Sequence, residues 1–473
     1  MNHQTRVSAD LDGLTLRLAN LAADLRYDDL PEDVAHKARL LIRDGIGNQI
    51  AASATSDAAI AMVELMNTWG GAPQATVSGY GHRLPAPLAA MCNGMMGHGV
   101  ELDDAHGPAL IKAGSVLVPA VFAAAELNPE ATGKDVIVAI VAAYETAVRV
   151  AKGINPGHRR RGYHTTSTVG CMGAAVAAAR ILGCDAERIA GAIGLAAMQS
   201  SGIQAYLDDP CMAKPFGPGK AAFNGVLAAV MASRGFTGPR KAIESGEGFL
   251  NAFAEEVDPA RILDGIGQSF VIMEVGFKPH SACRYAHGPI DIAQRLHAQG
   301  IRLADVRAAR VEMSKLAIRQ ASKFPCTNLN SAMGSTQFGV ALGLHCGRNG
   351  LRDYWDGYEV AAIHEGAGRV TLVENPEFGI GGRQSVITVE MADGRTVSIR
   401  QEEPKGEPSY PMSDDELAAK FFGTVELVID TPAAGRISER LMALENEASG
   451  AAIPPLTVVA GKGGRPALRD VAA

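Results

Sequence analysis

A chain of 473 residues exceeds the size at which a single hydrophobic core stops growing, so two domains are expected. Its side chains are 47% hydrophobic but only 5% aromatic, which describes a core of small aliphatic groups; the 53 glycines are scattered, which excludes low-complexity organisation. A net charge of −7 argues against nucleic acid as a partner, and the one basic run, His158-Arg159-Arg160-Arg161, is too short for a binding face.

Residues 14 to about 265 read as helix after helix. Leu14, Leu18, Leu21 and Leu25 keep helical spacing, and Pro31 followed by Glu32 and Asp33 opens the next helix, with Val34, Ala38, Leu41, Ile42 and Ile46 on one face. The segments Val136 to Tyr144, Gly173 to Leu182, Ile189 to Met198 and Ala221 to Met231 are alanine-rich and apolar on every side, which places them in the middle of a bundle. The pattern changes near 270. Val306 to Met313, Arg369 to Val373 and Gln384 to Glu390 read as strands, and Asp393-Gly394 forms the turn of a hairpin whose second strand is Thr396 to Ile399. Residues 283–298 and 333–346 read as helices between them. Ser413 and Glu416 form a capping box that starts another helix, and the tail from 454 is expected to fray. The fold class is therefore mainly α, a large all-helical domain plus a smaller α+β domain.

No window holds 18 uninterrupted apolar residues and no signal-peptide h-region is evident, so a cytoplasmic enzyme without a membrane partner is expected. Seven cysteines include no C-x-x-C pair, which removes the usual zinc-ribbon and thioredoxin spacings. Cys283 and His287 lie four apart, but two ligands do not make a metal site, and no metal is expected.

Five motifs place polar side chains beside apolar helices, as a small-molecule pocket requires. Arg161-Gly162-Tyr163-His164-Thr165-Thr166-Ser167-Thr168 runs into the closely packing stretch Gly173 to Ala179. A helix start offers unpaired N–H groups and partial positive charge, so Arg161 and His164 there make a candidate carboxylate site. The ordinary alternative is a Ser/Thr cap beside a surface histidine. The other four are the acid cluster Glu101-Leu102-Asp103-Asp104 with His106, the stretch Lys112-Ala113-Gly114-Ser115, Lys214-Pro215-Phe216-Gly217-Pro218-Gly219-Lys220, and Lys278 to His287.

The order and spacing of these motifs, with Tyr144-Glu145 and Pro411-Met412-Ser413-Asp414, resemble the MmgE/PrpD family over nearly the whole chain, from about 14 to 425. That family includes 2-methylcitrate dehydratase, cis-aconitate decarboxylase and iminodisuccinate epimerase. The resemblance implies a helical domain over residues 1–268 and 405–473, an α+β lid over 269–404, a homodimer, and a site without cofactor between the domains. His164 matches the family histidine, and His280 falls where the lid usually supplies one. Two positions depart from the pattern: relatives such as cis-aconitate decarboxylase carry His-Pro at Lys112-Ala113, and relatives usually carry histidine at Gly217. Glu101 replaces an aspartate.

Reactions of this family move a proton at carbon next to a carboxylate, which calls for cations to neutralise developing charge and a base of near-neutral pKa. The expected catalytic groups are His164, Lys214, His280, Asp103 and Asp104. The expected substrate-binding groups are Lys112, Arg161, Glu101, Arg284 and Tyr144. For Asp103 and Asp104 the alternative is helix capping, for Lys214 a surface lysine before a turn, and for Tyr144 a core tyrosine with one satisfied hydroxyl. Lys220 is expected on the solvated side of its helix, and Tyr206 to Pro210 as a mobile loop. The expected function is that of a cofactor-independent lyase, a hydro-lyase or decarboxylase acting on a small di- or tricarboxylate. The alternatives are an epimerase of a dicarboxylate such as iminodisuccinate, and a catalytically retired binding protein.

Overall fold

The computed structural model describes residues 8–209, 211–459 and 466–468. The chain forms two compact units. The first comprises Met1–Gly99, Asp103–Val275 and Val425–Ala473, and the second Val100–Leu102 and Gly276–Thr424.

Eleven helices carry the first unit as far as the motif around Lys220: α1 (Leu14–Asp24), α2 (Glu32–Thr55), α3 (Asp57–Trp69), α4 (Ala86–His98), α5 (Gly114–Ala125), α6 (Gly133–Ile154), α7 (Gly157–Arg160), α8 (Thr165–Thr168), α9 (Gly170–Ile181), α10 (Ala186–Ala197) and α11 (Phe216–Ser233). A two-residue ladder between β1 (Ala75–Thr76) and β2 (Arg83–Leu84), too short to leave a periodic signal, joins α3 to α4. Helix α5 is buried along its whole length, and α9 along all but Arg180. Helix α9 packs against α5, α6, α10 and α11. Such close packing needs small residues on both sides, and at Gly225 of α11 any added Cβ would overlap the methyl of Ala174 on α9.

Helix α6 runs ten residues past Tyr144, where its apolar stretch ends, because its later polar side chains find partners. Arg149 is fully buried, with Nε 2.6 Å from Glu145 Oε2 and the guanidinium donating to the carbonyls of Ile262, Asp264 and Ser269. The other Glu145 oxygen accepts from the Val271 N–H at 2.7 Å. A buried, fully satisfied ion pair of this kind is costly to break by removing one partner. Near the C-terminus, Pro454–Thr457 form a 3₁₀ turn and Val458 pairs with Gly79, so this part of the tail is folded. Residues 460–465 and 469–473 lie outside the described residues.

The second unit holds a four-stranded sheet of order β4-β3-β5-β6, made of β3 (Val306–Met313), β4 (Val370–Glu374), β5 (Ser385–Met391) and β6 (Thr396–Gln401). Strand β3 pairs parallel with β4 and antiparallel with β5, and Gly394 at φ 89° closes the β5–β6 hairpin. Alternate residues of β5 are buried, and helix His287–Ala298 packs on that strand and on helix Thr336–Cys346. The last of these starts later than its apolar pattern because Asn328 and Ser335 each cap a separate helix. Ser413 and Glu416 make the reciprocal capping bonds. The helix they open, Asp414–Val425, belongs to the second unit up to Thr424, as does Glu101. The fold is thus mainly α, a large helical unit and a smaller α+β unit.

Candidate active site

His164 caps helix α8, its backbone N–H donating to Gly202 O at 3.1 Å. Helix α8 is only four residues long, and its hydroxyls are already engaged. Thr165 Oγ1 accepts from Asn155 Nδ2 at 3.3 Å, Thr166 Oγ1 accepts from the Lys112 N–H at 3.1 Å, Ser167 Oγ donates to Ser201 O at 2.7 Å, and Thr168 Oγ1 lies 2.8 Å from His158 Nε2. The hydroxyl row therefore ties neighbouring loops to the helix start rather than offering an open anion cradle.

His164 faces a cavity of about 410 Å³ whose lining includes Ser167, Tyr206, Lys214, Gly217 and Lys220. Its imidazole is 2% exposed and meets the Tyr206 ring edge-on at 5.8 Å. Burial, followed by the charges of Arg159, His98, Lys112 and Lys214, pulls its pKa well below the ordinary histidine value. The free protein at neutral pH thus presents a neutral imidazole among cations. Gly217, in the first turn of α11, makes room for that ring: a Cβ there would stand 2.8 Å from His164 Nδ1 and 3.2 Å from Ser167 Cβ. Lys220, one turn further along α11, lines the same cavity and is half-buried, on the less buried face of that helix as expected. The loop before it contributes Tyr206, which is buried; Pro210 lies outside the described residues.

The two aspartates of the acid cluster have different partners. Asp103 Oδ2 accepts from His98 Nδ1 at 2.6 Å, both groups being buried, and the His98 ring lies 6.3 Å from that of His164. Asp104 accepts from the Tyr144 hydroxyl at 2.8 Å and from the Gly114 N–H at 2.8 Å. Burial and the neighbouring charge of Asp103 push its pKa up to about 7. Lys37 of α2 lies within electrostatic reach of Asp104 and Asp44, and burial pulls its pKa down to about 8. His98, Lys37 and Lys220 were not singled out as site residues from sequence. His98 carried a faint signal, a histidine closing an apolar helix just before the acid cluster; Lys37, on a helix remote in sequence, carried none.

The remaining candidates are not among the residues that line this cavity. Arg161 turns to the surface, with Nε 3.6 Å from Glu255 and its guanidinium 5.5 Å from the Tyr163 ring centroid. In the second unit, buried Lys278 donates to the Glu101 carboxylate at 3.2 Å and to its carbonyl at 3.1 Å. His280 Nε2 bonds Asp291 Oδ1 at 2.7 Å, and its ring lies 5.0 Å from that of His287. Arg284 is held by Glu407 at 2.8 Å, with Arg383 on the same carboxylate at 3.3 Å. His287 lies against Arg284 and the Ala282 carbonyl. Among the described residues, no group of three or more histidine, cysteine or acidic side chains is placed to hold a metal ion.

The chain is 29% identical over 469 residues to a cis-aconitate decarboxylase-like protein, oryM, of Aspergillus oryzae, covering 92% of this chain and 95% of that protein. It is 26% identical to a cis-aconitate decarboxylase of Aspergillus terreus, over 93% of this chain and 96% of that one. To human cis-aconitate decarboxylase it is 28% identical over 292 residues, 60% of this chain and 59% of the human protein. The MmgE/PrpD N-terminal domain profile matches residues 16–261 and the C-terminal domain profile residues 280–446, and the chain belongs to the MmgE/PrpD family.

Proposed function

We propose that this protein is a lyase that decarboxylates, or adds or removes water from, a small di- or tricarboxylate without a cofactor, by proton transfer at a carbon next to a carboxylate. The observation that carries the reading is the neutral, buried imidazole of His164 sharing one cavity with Lys214. The cis-aconitate decarboxylase names of the full-length relatives favour decarboxylation. In that reaction the bond from a carboxylate carbon to its neighbour breaks, carbon dioxide leaves, and the electron pair left on carbon takes up a proton. The Lys214 ammonium would hold a carboxylate flanking the carbon that becomes electron-rich, where fixed positive charge is worth most. The imidazole would carry the proton: an arriving polyanion raises the pKa that burial and cations had lowered, so His164 takes a proton from water on binding and delivers it to carbon. Asp103, through His98, and Asp104 are assigned to holding this region in position.

Incubating the protein with cis-aconitate, citrate, methylcitrate and iminodisuccinate in deuterated water, followed by NMR, tests the reading. Loss of carbon dioxide or water with one deuterium gained or lost at carbon is expected, and His164→Asn is expected to lower kcat roughly 10²–10⁴-fold. Exchange of a carbon-bound proton without net reaction would replace the lyase by an epimerase. Silence on every acid would leave a binding protein.

A further inference from the structure

Resting on that reading of the cavity, we infer that Lys220 and Ser201 form a subsite for a second carboxylate of the substrate, so that the pocket selects polycarboxylates over monocarboxylates. Lys220 follows Gly217 by three residues on α11, which puts both on one face of the helix, and both line the cavity with His164 and Lys214. Its ammonium donates to Ser201, both to the hydroxyl and, at 3.4 Å, to the carbonyl. A lysine has three N–H donors, so one is left for a ligand.

The charge balance points the same way. Among the described residues no carboxylate forms an ion pair with Lys220, although it is half-buried and burial lowers its pKa. A cation partly withdrawn from water without a counter-charge is unfavourable until an anion arrives. Asp209 also lines the cavity, but it is exposed and its charge is solvated. Lys214 and Lys220 stand on the same cavity, with the apolar atoms of Ile203, Ala205 and Phe216 available to the carbon chain. A cavity of about 410 Å³ falls within the range of small-ligand sites, roughly 300–1,000 Å³.

Isothermal titration of the full-length protein with tricarballylate, a tricarboxylate, and crotonate, a monocarboxylate, tests the subsite directly. Lys220→Gln is expected to weaken tricarballylate by about 10–100-fold while changing crotonate less than about threefold. Lys220→Arg, which keeps the charge, is expected to recover most of the loss. Lys214→Gln is expected to weaken both probes. Circular dichroism melts establish that each variant is folded, and Ser201→Ala supplies a smaller loss for tricarballylate should Lys220→Gln fail to fold. Equal weakening of both probes by Lys220→Gln, unchanged affinity for tricarballylate, or no binding of tricarballylate to the unmodified protein would each overturn the subsite. The two readings fail separately. Binding through Lys220 with no turnover of any acid would remove the lyase and keep the subsite. Turnover dependent on His164 with KM unchanged in Lys220→Gln would keep the lyase and remove the subsite.

Discussion

Adding one methyl group at Gly217 tests whether the placement of the His164 ring matters to chemistry. The Cβ of Gly217→Ala would lie 2.8 Å from His164 Nδ1, about 0.6 Å inside the 3.4 Å at which ordinary contact begins. The ring has little freedom to retreat, since it is 2% exposed and bounded by the Tyr206 and His98 rings. Overpacking of this kind costs about 1–3 kcal/mol, and alanine in a helix recovers up to about 1 kcal/mol over glycine. The net loss of stability is therefore expected to be no more than about 2 kcal/mol, and the variant should fold. Displacing a proton carrier by several tenths of an ångström is another matter, because a shift of about 1 Å can cost 10²-fold in rate. We expect kcat for decarboxylation to fall roughly 10–100-fold while the urea midpoint moves modestly. Steady-state kinetics on Gly217→Ala, His164→Asn and the double variant measure this. The double variant should be no slower than His164→Asn, because the methyl acts only through the ring. Full kcat in Gly217→Ala, or losses that multiply in the double variant, would refute the assignment.

Four further outcomes follow from the same geometry. Asp104, raised to about 7, keeps its proton in the folded state at pH values where the unfolded group has lost it; its contribution to stability is complete below about pH 4 and lost as pH rises through about 7. Asp104→Asn should remove a decline of about 1.4 kcal/mol per pH unit across that window, and parallel urea-derived stability curves would contradict this. His98→Gln removes a positive influence beside His164 and frees Asp103 to act as a negative one, so the limb on which kcat/KM falls with rising pH, where the proton donor is lost, should move to higher pH; an unmoved limb with a merely lower plateau would mark a structural role. Lys112, whose charge reaches His164, is expected to serve as a fixed cation for a substrate carboxylate, so Lys112→Met should raise KM more than it lowers kcat; an unchanged KM would exclude a binding role. Light scattering at micromolar concentration is expected to give twice the mass of one chain, as the family resemblance implies, and a monomer mass would refute the dimer.

The elements were largely legible in the chain because their causes are local. Apolar periodicity and turn chemistry placed β3 at Val306–Met313 and the Asp393-Gly394 hairpin, and a capping box placed the start of the helix at Asp414. The motif order also placed the chain in its family before any packing was known. Local reasoning stopped α6 at Tyr144, because partners for Glu145 and Arg149 come from residues 262–271, far along the chain. It likewise put Arg161 in the cavity rather than at the surface beside Glu255, because the direction of a long side chain depends on what packs around it. In the sequence, His164 and Lys214 stand out only as residue types in loops that lead into apolar helices. Tertiary structure alone brought them to one cavity, set the His98–Asp103 pair beside the imidazole, and brought Gly217 so close to that ring that a Cβ there would crowd it. The protonation states follow the same rule: desolvation and Coulomb energy sum over everything within a few ångströms, whatever its distance along the chain.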